Sequence, residues 1–287
     1  MGVAEHFNQS NTPVDIQVRK FDPHATAAAT EYFFGNDPFK THFVNALSII
    51  FPEGERFFIR SVLAYRDQIT DSKLLSEIKD FCAQEAQHTL VHEALNELAT
   101  RHGYPVAKLE SWLRRDLRRF SNGGKKHAWI RRTALAMTVC MEHFTAILAY
   151  QVLTNAAATH QGLDPAVEAL LTWHALEETE HKGVAFDVYQ ATNGSPVALR
   201  FTMLLATTLF MLRLCVYTTV LLVKDGSIRK WSTWKTGVQF VFGPRQGFLV
   251  RPWRDWLAFF KPGFHPWKQH RELDIRSAAA AVDAHLA

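Results

Sequence analysis

Three cysteines, Cys82, Cys140 and Cys215, are all that 287 residues contain. They are too few, too scattered and odd in number for a disulfide framework, and they suit reduced thiols in a cytosol. Glycine (14) and proline (11) are also sparse, which excludes collagen-like repeats and low-complexity linkers as the bulk of the chain. No run alternates polar with apolar residues for the length of a strand, so no sheet is expected. The opening MGVAEHFNQSNT lacks an apolar stretch behind a basic start, so no secretory signal is expected. No glycine-rich nucleotide loop occurs, so any electron donor is expected to be a separate protein. Hydrophobic residues make up 47% of the chain and charged residues 21%, the balance of an ordinary globular protein. The net charge of +4 decides little; its distribution says more.

Residues 1–40, broken by Pro13, Pro23 and Pro38, read as an arm leading into the first helix, with Asp37-Pro38 as a turn. From there to residue 195 apolar residues recur at helical spacing. Helices are expected over about 41–69, over 72–101 with Asp71 or Ser72 as the cap, and over 127–158. A fourth is expected over 165–191, opened by Asp164 before Pro165. A shorter basic helix is expected over about 108–120, ended by Asn122-Gly123-Gly124. The fold class is all-α, with four long helices as the heart of a bundle and additional helices after it.

Residues 196–287 change in composition. Arg213 is the only charge in 201–223, a length that suits a membrane span. An arginine near the middle is costly there, by about 2.5–3.5 kcal/mol on insertion scales, so a helix buried in the bundle or in a dimer interface is the expectation. Residues 224–271 hold ten Lys or Arg against only Asp225 and Asp255, interleaved with Trp231, Trp234, Trp253, Trp256 and Trp267. That mixture suits peripheral contact with a membrane surface, or solvated charges over aromatic packing. Nucleic acid is not the expected partner. The Ala-rich 277–287 reads as a dangling helix. The expected location is the cytoplasm, with membrane association through this third as the alternative.

Carboxylates and histidines interrupt the apolar helical text at four places. Glu55 lies in FPEGERFF, Glu85 and His88 in CAQEAQHTLVHEAL, Glu142 in VCMEHFTAI, and His174, Glu178 and His181 in LTWHALEETEHKGVAF. Residues three or four apart share a helix face, so Glu85 with His88, and Glu178 with His181, form convergent pairs. Their stripes are otherwise apolar, and burying such charges is costly unless they are paired or metal-bound. Glu85 follows Glu55 by 30 positions and Glu178 follows Glu142 by 36, about one helical hairpin each. Glu, Glu-x-x-His, Glu, Glu-x-x-His is the donor set of the ferritin-like di-iron carboxylate proteins. His174, one turn before Glu178, is read as a further ligand, or as a donor to a ligand carboxylate. His92, one turn beyond His88, is expected behind the ligands or in a pocket. His143 is expected to serve packing or to stand behind the metal ligands. Glu177 and Glu180 are taken as solvated or as supporting residues. Asp67 or Arg66 is a candidate to orient a ligand histidine. Glu53 is assigned no chemistry.

The motifs FPEGERFF, EAQHTLVHEALN and WHALEETEHKGVAFDVY resemble a bacterial family described as predicted metal-dependent hydrolases, within the ferritin-like superfamily, from about residue 40 to 267. That resemblance implies a four-helix core and the metal residues named above. The His174-x-x-x-Glu178-x-x-His181 string also resembles the arylamine N-oxygenases, through the ligand motifs alone. The leading expectation is an O₂-activating non-haem di-iron oxidase or oxygenase with two iron ions, manganese or a mixed pair using the same ligands. It would act on a small hydrophobic, aromatic or amine substrate, with Ala146, Ala149 and Ala185 leaving room. The alternatives are a dinuclear metal-dependent hydrolase and a non-catalytic metal-binding protein. A radical subunit like that of ribonucleotide reductase is disfavoured, because His92 stands where that family has tyrosine.

Overall fold

A computed structural model describes residues 10–155, 159–243, 247, 248, 250–271 and 273–286. The first nine residues, on which part of the expectation about a leader falls, lie outside them, as do 156–158 at the end of the expected third long helix and Ala287 at the tail. The regular structure is all-α, with no strand among the described residues; an isolated bridge joins Phe34 to Leu163.

Helix α1 spans Pro38–Leu63 and starts earlier than expected, because Asp37 is its cap: its carboxylate accepts the Lys40 N–H, with Pro38 at the first helical position. It also stops earlier, and a 3₁₀ turn, Arg66–Gln68, follows. Pro52 lies inside α1 and has no N–H to give the carbonyl four residues back. That carbonyl, on Ser48, accepts instead from Asn96 Nδ2 at 3.2 Å. Helix α2 spans Ser72–Arg101, capped by Asp71 as expected. Helix α3, Val106–Lys126, runs through the Asn-Gly-Gly sequence expected to end it. The chain then turns into α4, Ala128–Thr154.

Helix α5 spans Pro165–His181, and Asp164 accepts the Ala166 N–H at its start. The expected single helix over 165–191 is broken, and α6, Val184–Ala191, follows Gly183. A Cβ at Gly183 would lie 2.5 Å from the Trp267 indole nitrogen, so the break lies where the C-terminal segment presses on the helix. Helix α7, Pro196–Lys224, is capped by Ser195. Helices α8 (Trp231–Phe242), α9 (Trp253–Ala258) and α10 (Ile275–Leu286) complete the chain. Helix α10 does not dangle: it packs against α5, Val282 is buried, and Asp283 accepts from Arg19 Nε at 2.7 Å.

Helix α1 packs along α2 and α4 along α5, and these four helices carry the polar residues singled out above. Helix α7 lies against α1 and α4. It buries Leu199, Met203, Phe210, Leu214 and Leu221, while Phe201 (70%) and Leu212 (60%) stand exposed on its other side. Helices α4 and α7 are both long and apolar enough to cross a membrane; the apolar window of α4 is 72% buried in the fold and that of α7 39%. Arg213 reaches out of α7 to Asp116 on α3 at 2.7 Å. Trp231, at the start of α8, is 81% exposed.

The contact at Gly183 yields a test. Gly183→Ala drives a methyl group into the Trp267 ring, an overpacking expected to cost about 1–3 kcal/mol, read by equilibrium urea unfolding. Unchanged stability would contradict the packing described here.

Candidate metal centre

Between α1, α2, α4 and α5 the fold gathers every residue expected to bind metal. They form two adjoining groups: Glu55, His88 and His174, and Glu85, Glu142, Glu178 and His181. Within each group one donor atom per residue lies within 4.8 Å of the others, and all seven residues are buried. The motif pairs divide unequally. Glu178 and His181 stay together, whereas Glu85 and His88, expected to converge, face different groups. Glu178 links the two: Oε1 lies 2.8 Å from His174 Nε2 and 3.6 Å from His88 Nδ1, and Oε2 lies 3.2 Å from His181 Nε2.

Each imidazole is aimed by its far nitrogen. His181 Nδ1 donates to Gln84 Oε1 at 2.8 Å, leaving Nε2 within 3.2–3.4 Å of Glu178, Glu142 and Glu85. His88 Nε2 lies 3.0 Å from Glu177 Oε2, and Nδ1 faces the centre without a hydrogen bond among the described residues. The residue preceding each motif glutamate, Gln84 on α2 and Glu177 on α5, thus orients the histidine of the opposite helix. Metal-binding histidines are commonly fixed in this way. Glu177 also accepts the Arg19 N–H at 2.7 Å, and Glu180 takes the Arg19 guanidinium at 2.9 Å. Both glutamates are buried supports, not solvated groups.

A third chain fixes His174. Asn96 Nδ2 donates to the Ser48 carbonyl, which leaves Asn96 Oδ1 to accept from the Ser48 hydroxyl at 2.8 Å. Ser48 Oγ then accepts from His92 Nδ1 at 3.1 Å, and His92 Nε2 accepts from His174 Nδ1 at 2.8 Å. His174 Nε2 then faces a carboxylate oxygen of Glu178 at 2.8 Å. Two acceptors that close repel unless a proton or a metal ion lies between them.

The electrostatics agree. Burial raises Glu55 and Glu85 well above the ordinary carboxyl range, and neighbouring carboxylates add to the effect. Burial likewise lifts Glu142 to about 7 and Glu177 to about 8. His181 is pushed down by burial but held up, at about 10, by Glu178 and Glu142. Glu178 falls well below its usual value, as His181 and His174 overcome its burial. His88 and His92 are held neutral by burial and by His174. Both oxygens of Glu85 and of Glu142, Glu55 Oε1 and His88 Nδ1 are buried without a hydrogen bond among the described residues. Buried oxygens left in that state are costly, and divalent cations satisfy carboxylates and imidazoles alike. The donor set fits two such ions.

An apolar cavity of about 140 Å³ ends on this centre, with Ser48, His92, His174 and Glu178 at its polar end. Phe43, Phe51, Leu95 and Leu171 form part of its wall, and Phe240, Phe248 and Arg251 of the C-terminal third complete it. Of the three alanines expected to leave room, Ala149 lines it, while Ala146 and Ala185 do not. His143 lies elsewhere, its ring against Phe259 and its Nε2 donating to the Asp255 carbonyl. Asp67 and Arg66 are exposed and orient no ligand histidine. Glu53 pairs with Arg56 and Arg114. Gln84 and the arm residue Arg19 escaped the sequence reading; the shared position before each motif glutamate is the signal that marks Gln84 and Glu177.

The raised carboxyls set a pH dependence. Glu142 near 7 and Glu177 near 8 hold protons in the fold that an unfolded chain, near 4.5, has released. Their stabilisation is present at low pH and lost as pH rises through the folded values. The metal-free protein is expected to melt at progressively lower temperature from about pH 6.5 to 8, where the two carboxyls finish titrating, and bound metal should flatten that slope by replacing the protons. Thermal melts with and without chelator measure both; a metal-free midpoint that climbs over this range would contradict the assignment.

No curated protein and no solved structure matches the chain. A family model described as predicted metal-dependent hydrolase matches residues 17–270, nearly the whole chain and all of the centre, and the protein belongs to that family.

Proposed function

We propose that the chain is a dinuclear metalloenzyme of ferritin-like kind that hydrolyses a bond in a small apolar substrate. Glu55, His88 and His174 serve one ion; Glu85, Glu142 and His181 serve the other, with Glu178 between them. The observation that carries this reading is the placement of the two Glu178 oxygens, one toward each group of donors. Four carboxylates there also balance the charge of two divalent cations. Iron or manganese suits the mixture of carboxylate and imidazole. Bound ions would supply Lewis acidity and lower the pKa of water. The protein's own part is orientation and binding: Gln84 and Glu177 aim His181 and His88, Asn96, Ser48 and His92 aim His174, and the apolar walls hold the substrate.

The family description supports hydrolysis. A second reading, oxygen activation with an external electron donor, has support in the thiolate-free, carboxylate-rich donor set beneath an apolar cavity. The two separate cleanly. A hydrolase turns over esters, amides or phosphoesters under anaerobic conditions with no reductant, whereas an oxidase is silent there and consumes O₂ when reduced.

Purified protein is expected to hold two metal ions per chain by elemental analysis. The Glu85→Ala/Glu178→Ala variant should lose both, and two tightly held ions in that variant would refute the centre. Glu177→Ala or Gln84→Ala should weaken metal binding roughly 10- to 100-fold without removing a ligand. For His174→Ala, loss of one ion or a large drop in its affinity is the expected result. Unchanged stoichiometry and affinity would make His174 only a donor to Glu178.

A further inference from the structure

A second cavity, about 270 Å³, lies between α4, α7 and α9. Leu148 and Phe248 line both it and the cavity that ends on the metal centre. Its other walls include Phe144, Ile147, Phe210, Met211, Pro252 and the half-exposed Trp253. Two hydrogen-bonding side chains in its wall, Thr207 and Trp256, are bonded to each other. Trp256 Nε1 donates to Thr207 Oγ1 at 2.9 Å, and that hydroxyl donates to the Met203 carbonyl at 2.7 Å. A polar guest would find no partner in those groups and would forfeit its own hydration; an apolar chain would lose nothing. The inner cavity is close in size to the ~150 Å³ that accepts benzene, and the residues it shares with the outer one, Leu148 and Phe248, mark a route by which a longer guest extends into it.

We propose that the two cavities form one two-chamber substrate site for a single-chain amphiphile. Its reacting group lies at the His174–Glu178 end, and its unbranched hydrocarbon tail passes between Leu148 and Phe248 into the chamber beneath α9. This rests on the reading of the His174–Glu178 end as the reacting end. It adds the substrate class: compounds bearing a linear aliphatic tail longer than the inner chamber holds. It also gives α9 and the buried side of α7 a part in recognition.

The experiment is isothermal titration of the full-length protein with primary n-alkanols from butanol to decanol, with metal content measured on the same samples. Wild-type protein should bind one alkanol per chain, with affinity rising about fourfold per methylene beyond butanol. Met211→Trp fills the outer chamber from α7, and Pro252→Trp does so from a partly exposed position where misfolding is less of a risk. Circular dichroism verifies that each folds. In a folded variant the series should stop rising near butanol, while butanol itself binds within about twofold of wild type. An unaltered slope in the folded variants, or several alkanols bound per chain, would overturn the proposal. A wild-type chain that binds the alkanols as expected but takes up no metal would overturn the metal centre and leave the two-chamber site standing.

Discussion

Five glutamate side chains, Glu55, Glu85, Glu142, Glu177 and Glu178, are taken out of water at one level of the fold, and much of the surrounding structure answers that charge. Isolated carboxylates in such surroundings become protonated or find partners. Here the partners are three imidazoles on α2 and α5, with Arg19 drawn in from the N-terminal arm to meet Glu177 and Glu180. Helices α1, α2 and α4 are thereby tied to the C-terminal half of α5 by polar contacts, with large apolar side chains such as Ile49, Leu135 and Trp173 packed around them. Removing a single carboxylate would disturb the charge balance of the others as well as one contact.

The seven candidate ligands were legible because helical spacing is a local property. A Glu-x-x-His on an apolar stripe faces inward whatever the loops do, and hairpin-length separations bring such stripes together. Helix ends with an Asp cap before proline or serine were equally readable at Asp71 and Asp164. Departures arose where a distant segment intervened. The break at Gly183 answers to Trp267, more than eighty positions away. The division of Glu85 from His88 is likewise tertiary. Adjacent donor groups share Glu178, and no property of α2 alone says which group each of its side chains joins.

The C-terminal third was the least legible part. Its tryptophans and basic residues fit a membrane surface or aromatic packing equally well. The fold shows some of each: Trp231 stands in solvent, while Phe240 and Phe248 pack edge-on against Phe43 of α1. That aromatic contact makes the third a wall of the cavity above the metal centre. The match of the family to residues 17–270 agrees, since it treats this segment and the ligand helices as one inherited unit. Arg213, the charge that argued against a membrane span, emerges beside α3 to meet Asp116. A helix that buries one side against α1 and α4 can carry an ion pair there at little cost.

The reciprocal bracing of the two motifs has a consequence for assembly. Adjacent residues on a helix point about 100° apart, so Gln84 and Glu177 leave the metal-facing side and cross to the neighbouring helix. Gln84 therefore orients His181 only when α5 is docked, and Glu177 orients His88 only when α2 is docked. Neither helix can present a fully oriented imidazole by itself. Docking of α2 on α5 and construction of the binding site are one event, so binding free energy from the ions is also free energy for that docking. The N-terminal arm joins the same event, because Arg19 holds Glu177 through its N–H and Glu180 through its guanidinium, while Glu180 accepts from Gln84 Nε2 at 3.1 Å. A loop outside the helical core thus helps to set the orientation of both histidines at its centre.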